Sequence, residues 1–223
     1  MKLHDEQQGQ WSNRTGSTLL EVSISIAMVS IVLGVAAMVG IAGRKAFVTA
    51  NKQAQLDSQL KIALDRISAE LGSAISSSLD PQLTGMVTDT DEISLAQVLG
   101  IVDGVPVPSP DLISFSFEDD PNDPVDGLDN DNDEVVDEAR VVFVRGSGGT
   151  SPSAITICKN VRRHLQGEEE GGGDENGNGL IDESGFLIQR DGNLLSIKIT
   201  VQGTNANGES VTKTSSASIV LRN

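Results

Sequence analysis

Residues 16–43 read GSTLLEVSISIAMVSIVLGVAAMVGIAG, and the arrangement of the rest of the chain depends on this stretch. From Val22 to Gly43 it carries 22 residues without a charge, about 33 Å of helix, enough to cross a hydrocarbon core of roughly 30 Å. That run is longer than the roughly 7–15 apolar residues of a secretory signal. The helical pattern also continues past Arg44 and Lys45. Phe47, Ala50, Ala54, Leu56, Leu60, Leu64, Ile67, Leu71 and Ile75 recur mostly three or four residues apart, with Lys52, Lys61, Arg66 and Glu70 between them, and no proline precedes Pro81. The spacing predicts one helix over Thr18–Ser77, apolar all round in residues 17–43 and amphipathic in 44–80. A helix of about 90 Å is unusual for a lone domain and needs packing against copies, partners or its own head. Ser23, Ser25, Ser30, Gly34 and Gly40 along it permit close helix approach.

Composition excludes several function classes. The 223 residues hold 32 acidic against 16 basic side chains, a formal charge of -16, which opposes recognition of a phosphate backbone, so no nucleic-acid partner is expected. Two histidines and one cysteine exclude a His/Cys structural zinc site and an intrachain disulfide. With aromatics at 3% and no tyrosine, stacking platforms have little material. No phosphate-binding glycine loop and no Gly-x-Ser-x-Gly elbow occurs, so the chain reads as non-enzymatic. Cys158 reads as a buried small hydrophobe and His164 as a structural residue.

Beyond Pro81 the texture changes to short β-prone runs broken by Gly, Pro, Asn and Asp. The expected strands are Ile93–Val98, Leu112–Glu118, Ala139–Arg145, Ala154–Asn160, Phe186–Arg190, Leu194–Gln202 and Ser218–Leu221. Residues 195–201 alternate with period two, and Asp191-Gly192-Asn193 makes the hairpin turn before them. The fold class is α+β: a long N-terminal helix packed on an antiparallel sheet, with 81–223 as the β-rich head.

The acidic residues are concentrated in that head. Twelve lie between Asp111 and Glu138 and seven between Glu168 and Glu183. Asp129, Asp131, Asp133, Val135, Asp137 and Glu138 superpose on Asp174, Asn176, Asn178, Leu180, Asp182 and Glu183 with a constant offset of 45 residues. Oxygen side chains at relative positions 1, 3, 5 and 9 form the front of an EF-hand-type loop, and position 7, Val135 or Leu180, offers a backbone carbonyl. Calcium is the expected cofactor, one or two ions. Gly179 suits a sharp turn at position 6, whereas Glu134 in the first loop does not. Position 12, normally a bidentate glutamate, is Arg140 or Gly185, so Glu138 and Glu183 are the substitutes if the loop closes early. The alternative is a pair of solvated acidic linkers. Glu168-Glu169-Glu170 reads as a mobile approach to the second loop, with Glu168 or Glu170 folding back as the other possibility.

Glu21 stands at the start of the uncharged segment, where an ionised carboxylate without a partner is expensive to bury. Cleavage after Gly16 would give Ser17 a new α-amine able to neutralise Glu21 of its own or a neighbouring chain. The string Gly16-Ser17-Thr18-Leu19-Leu20-Glu21-Val22 resembles the processing site of type IV prepilins and type II secretion pseudopilins. The resemblance implies that a prepilin peptidase removes residues 1–16 after Gly16, methylates Ser17 and leaves Glu21 at the fifth mature position. Ser17 departs from the phenylalanine usual at the first mature position. Residues 181–223 are similar to J-type minor pseudopilins and the related W-type minor pilins, whereas Glu21 sets the chain apart from the K-type.

The resemblance implies a single-pass subunit of the bacterial inner membrane, with a cytoplasmic leader and a periplasmic head. It would help initiate or cap the pseudopilus of a type II secretion system, with other major and minor pseudopilins and the inner-membrane assembly platform as partners. The related role is a minor pilin priming a surface type IV pilus for motility, adhesion or DNA uptake. A reading from another class is a membrane-tethered calcium-binding module outside any fibre.

Overall fold

A reciprocal pair of hydrogen bonds opens the helix. The Glu21 amide donates to Thr18 Oγ1 (3.3 Å) and the Thr18 amide donates to Glu21 Oε2 (3.2 Å), satisfying two N–H groups that a first turn leaves without intrahelical partners. From there α1 runs Leu19–Leu71. The computed structural model describes residues 18–81, 89–147, 152–168, 171, 173–177 and 179–221. Gly16, Ser17 and the expected leader lie outside them.

The chain divides into two compact units, Met1–Lys45 and Ala46–Asn223. In the first, every described side chain is exposed, Leu and Ile included. The Ser23 and Ser30 hydroxyls donate to the carbonyls of Leu19 and Ile26, 2.8 Å each, which turns these polar groups back onto the helix. The helix is long and apolar enough for a single membrane span.

In the second unit the helix becomes one-sided. Leu56, Leu60, Ala63, Leu64, Ile67 and Leu71 are buried against the sheet, and each such leucine or isoleucine contributes about 1.5–3 kcal/mol by leaving water. Burial begins at Leu56, so Phe47, Ala50 and Ala54 of the expected apolar stripe remain exposed. Polar contacts orient the helix on the head: Lys213 Nζ lies 2.6 Å from Asp57 Oδ1, and Gln59 Nε2 donates to the Lys159 carbonyl at 2.6 Å. Glu70 Oε1 meets Arg66 at 3.0 Å and Arg145 at 3.3 Å. The helix ends six residues before the expected Ser77. Ser73 Oγ donates to the Glu70 carbonyl, and a 3₁₀ turn, Ser76–Ser78, follows, because a serine-rich run offers its own side chains to the backbone in place of helical bonds.

The sheet contains β1 (Asp89–Thr90), β2 (Glu92–Val102), β3 (Val105–Asp119), β4 (Ala139–Ser147), β5 (Ser153–Val161), β6 (Phe186–Asp191), β7 (Leu194–Thr204) and β8 (Ser210–Val220). All its pairings are antiparallel, in the order β1-β6-β7-β5-β4-β3-β2, with β8 on β7. This is the α+β class read from the sequence, and a generic pilin-like architecture. The core joins the buried helix face to Ile93, Leu95, Phe115, Phe143, Phe186 and Ile197 among others, and the Phe115 and Phe143 rings sit 5.1 Å apart.

The sheet forks at β7. One edge of β7 pairs with β8 throughout, while the other pairs with β6 from Leu194 to Ile199 and with β5 at Val201. At the fork the chain enters β6 through Gly185, where an added Cβ would lie 1.6 Å from the Arg162 carbonyl oxygen.

Three strands, β8, β2 and β3, run well beyond expectation. β8 begins at Ser210 rather than Ser218, because its Ser/Thr face matches Thr200 and Ser196 on β7 through hydroxyl pairs, Thr200–Thr214 at 2.8 Å and Ser196–Ser218 at 3.1 Å. β2 and β3 run on beyond Leu112 as a two-stranded ribbon that includes Pro106, Pro108 and Pro110. Among the described residues no third strand flanks this ribbon, since β4 pairs with β3 only over residues 112–119, and proline is tolerated there.

Candidate metal centre

Both acidic loops are anchored at one end of the sheet. The first leads from β3 into β4 at Ala139, the second leads from β5 after Val161 into β6, and Ala139 pairs with Val161. Two arginines tie the loops down. Arg163 Nε donates to the Asp137 carbonyl (3.0 Å) and its NH2 meets Asp119 Oδ1 (2.7 Å), while Arg162 donates to the carbonyls of Leu165 and Glu168.

The two loops turn left-handed at the same three places among the described residues. Positive φ values occur at Asn132 (61°), Glu134 (73°) and Asp137 (53°), and at Gly177 (73°), Gly179 (90°) and Asp182 (54°), three equivalent positions. Glu134 therefore makes the turn that its side chain was expected to oppose. Its amide is held by Asp129 Oδ2 at 3.0 Å, as the Gly179 amide is held by Asp174 Oδ2 at 2.8 Å. Such bonds offset a left-handed conformation that costs a non-glycine residue about 1–2 kcal/mol.

Asp129, Asp131 and Asp133 each bring one ligand oxygen within 4.8 Å of the others, a cluster able to chelate a divalent cation. Asn160 Nδ2 donates to Asp133 Oδ2, and Val135, largely buried, donates its amide to Asp133 Oδ1 at 2.9 Å. Asp137 is used differently: its Oδ1 accepts the amides of Asp126 and Gly127, both at 2.9 Å, and so closes the preceding turn. Glu138 points inward and is 1% exposed. In the second loop Glu183 is likewise 1% exposed, Asp174, Asn176 and Leu180 lie along the equivalent turn, and Asn178 lies outside the described residues. Arg140, at the position of the usual twelfth ligand, sits in β4 and pairs with Glu118 at 3.1 Å, and Gly185 there is needed for the fork.

Two carboxylates were undervalued by the sequence reading. Asp123, not singled out there, is fully buried, its Oδ1 accepts the Asn130 amide at 2.8 Å and its Oδ2 has no partner. Glu168, read as a mobile approach with folding back as the other possibility, is folded in and fully buried. Its Oε1 accepts the Asn176 amide at 3.2 Å and its Oε2 has no partner. Residues 123 and 168 differ by the same 45 as the loops, so extending the superposition six residues upstream would have revealed both.

The electrostatics follow from acids packed on acids. Desolvation first, then a hydrogen bond with Asp123, pushes Glu138 up to about 8, while the Asn130 amide holds Asp123 below its ordinary value. Asp131 is exposed as a residue, yet the packed loop partly desolvates its carboxyl, and this, then the neighbouring Asp133, raises it. Burial raises Glu168, with Glu183 and Glu175 adding to it. Carboxylates in this state require either protons or a cation.

No protein-family model, curated protein or solved structure matches the chain. The helix, the sheet and the acidic loops are consistent with a structural, scaffold-type subunit carrying a single membrane-compatible segment.

Proposed function

We propose that this chain is a minor pseudopilin, a structural subunit that helps initiate or cap a periplasmic fibre of a type II secretion system, with calcium holding its acidic loops. The observation that carries the reading is Glu21: a carboxylate in the first turn of a helix whose following 22 residues are uncharged and wholly exposed. In lipid that carboxylate needs a positive partner, and an amine created by cleavage after Gly16 provides one four residues away. The exposed apolar face is the surface that copies or sister subunits would cover, and the head on the amphipathic half would remain in the aqueous compartment. All-oxygen donors in the acidic loops suit calcium at extracytoplasmic concentrations better than magnesium, which keeps its water shell.

The test is co-purification of the full chain from detergent-solubilised membranes with other pilin-like subunits, together with its intact mass. A methylated N-terminus at Ser17, and loss of the partners in Glu21→Ala, are expected. A mass that still includes residues 1–16, or partners retained by Glu21→Ala, overturns the reading and leaves the tethered calcium-binding module. A surface type IV minor pilin shares this chemistry, and the neighbouring genes distinguish it: a retraction ATPase and major pilin rather than an outer-membrane secretin.

A further inference from the structure

We propose that the head contains two copies of one cation-binding module, each taking a single hard divalent ion, and that each is closed by an acid upstream of the loop: Asp123 with Glu138 in the first, Glu168 with Glu183 in the second. The proposal rests on the calcium reading of the loops but not on the pilin assignment.

Three observations point to these upstream acids as closing ligands, beside the one cluster of converging carboxylates among the described residues, Asp129, Asp131 and Asp133. Asp123 and Glu138 are almost completely buried, and each leaves one buried oxygen without a partner. Glu168 repeats this in the second module, fully buried with Oε2 unpartnered. An upstream acid also accepts a backbone amide at the start of its loop in both copies, at position 2 in the first, where Asp123 Oδ1 accepts the Asn130 amide, and one position later in the second, where Glu168 Oε1 accepts the Asn176 amide. A buried carboxylate oxygen with no donor is costly, and a solvated acidic linker gives no reason to bury two carboxylates side by side.

The donor set identifies the ligand class. The first module offers Asp123, Asp129, Asp131, Asp133 and Glu138, with the Val135 carbonyl available as a sixth oxygen, which suits the six to eight oxygens of calcium. No nitrogen or sulfur donor is among them, so zinc and copper are poor fits. The second module offers Glu168, Asp174 and Glu183 with the amide oxygen of Asn176, fewer charges around the ion. Since affinity rises with ligand charge, the first module fills before the second.

The experiment is calorimetric titration of calcium chloride into the full chain in detergent micelles, stripped beforehand with chelator. Wild type is expected to take two ions in two steps. Asp123→Asn is expected to weaken the tighter step at least tenfold and leave the other, and Glu168→Gln the reverse. Thermal unfolding in chelator separates a ligand from a merely structural acid: removing a buried unpaired charge leaves the ion-free melting temperature unchanged or raises it, whereas loss of a structural hydrogen-bond acceptor lowers it. Two ions bound with wild-type affinity by both variants, while Asp131→Asn and Asp174→Asn abolish binding, would overturn the upstream donors and leave the calcium loops standing. A single ion in wild type would overturn the duplication, and none at all would overturn the calcium reading too.

Discussion

Gly185 is where the forked sheet is most exacting, and Gly185→Ala tests it. A Cβ at this position would stand 1.6 Å from the Arg162 carbonyl oxygen and 2.7 Å from its carbon, so the two backbones must part by roughly 2 Å to reach an ordinary contact. Three hydrogen bonds hold them together: Gly185 N–H to the Arg163 carbonyl at 2.9 Å, Thr200 N–H to the Gly185 carbonyl at 2.7 Å, and Arg162 N–H to the Thr200 carbonyl at 2.9 Å. At about 1 kcal/mol net for each bond, their loss destabilises the head by about 3 kcal/mol, more if a buried group is left unpaired. For a unit of this size that lowers the melting temperature by about 6–12 °C. Differential scanning calorimetry of the full chain in detergent, with calcium in excess, measures it. Gly100→Ala is the control, since nothing lies within 4 Å of an added Cβ there. If Gly185→Ala melted within 2 °C of wild type, the close crossing of β5 and β6 would be wrong.

Two further outcomes follow from buried ionisable groups. Cys158 is 1% exposed and burial pushes its thiol up to about 12, so an alkylating reagent at pH 8 should leave the folded chain unmodified and label it fully in denaturant; rapid labelling of the folded form would place Cys158 outside the core. In chelator, Glu138 is protonated in the folded chain up to about 8 but only to about its ordinary 4.5 when unfolded. The folded state therefore binds more protons across that window, and stability falls as pH rises from about 4.5 to about 8. Excess calcium should flatten the dependence, and melting curves at pH 5 and pH 8 with and without the ion would expose an equal slope in both, which would refute it.

The long helix was legible because its two periodicities are unambiguous: 22 residues without charge, then apolar positions every three or four. The strands with apolar alternation, such as residues 194–202, were legible for the same reason. What escaped the sequence reading depends on tertiary context. Ser210–Ser218 shows only a sparse apolar face, Val211 and Ala217, which pack against the core, while on the other face Thr214 and Ser218 match hydroxyls of β7. Asp89–Thr90 is too short to signal itself and pairs with β6 because the chain passes there on its way to β2. The loops announced themselves through a 45-residue offset, but position 6 was judged on glycine alone. Asp129 holds the left-handed Glu134 without one. Asp123 escaped because the superposition starts at Asp129, although the 45-residue offset to Glu168 extends to it.

The ribbon of β2 and β3 has one more consequence. Pro106 and Pro108 occupy alternate positions opposite Ile101 and Val98, so both remove amide donors from the side of β3 away from β2, and Pro110 removes a further donor from the arm. The free side is therefore short of the groups with which a stray strand would zip onto it. Along that side a partner has only protruding side chains to grip, Leu99, Ile101, Val102 and Val105 among them, so strand addition to the arm is confined to the outer edge of β2, the terminal strand of the sheet order.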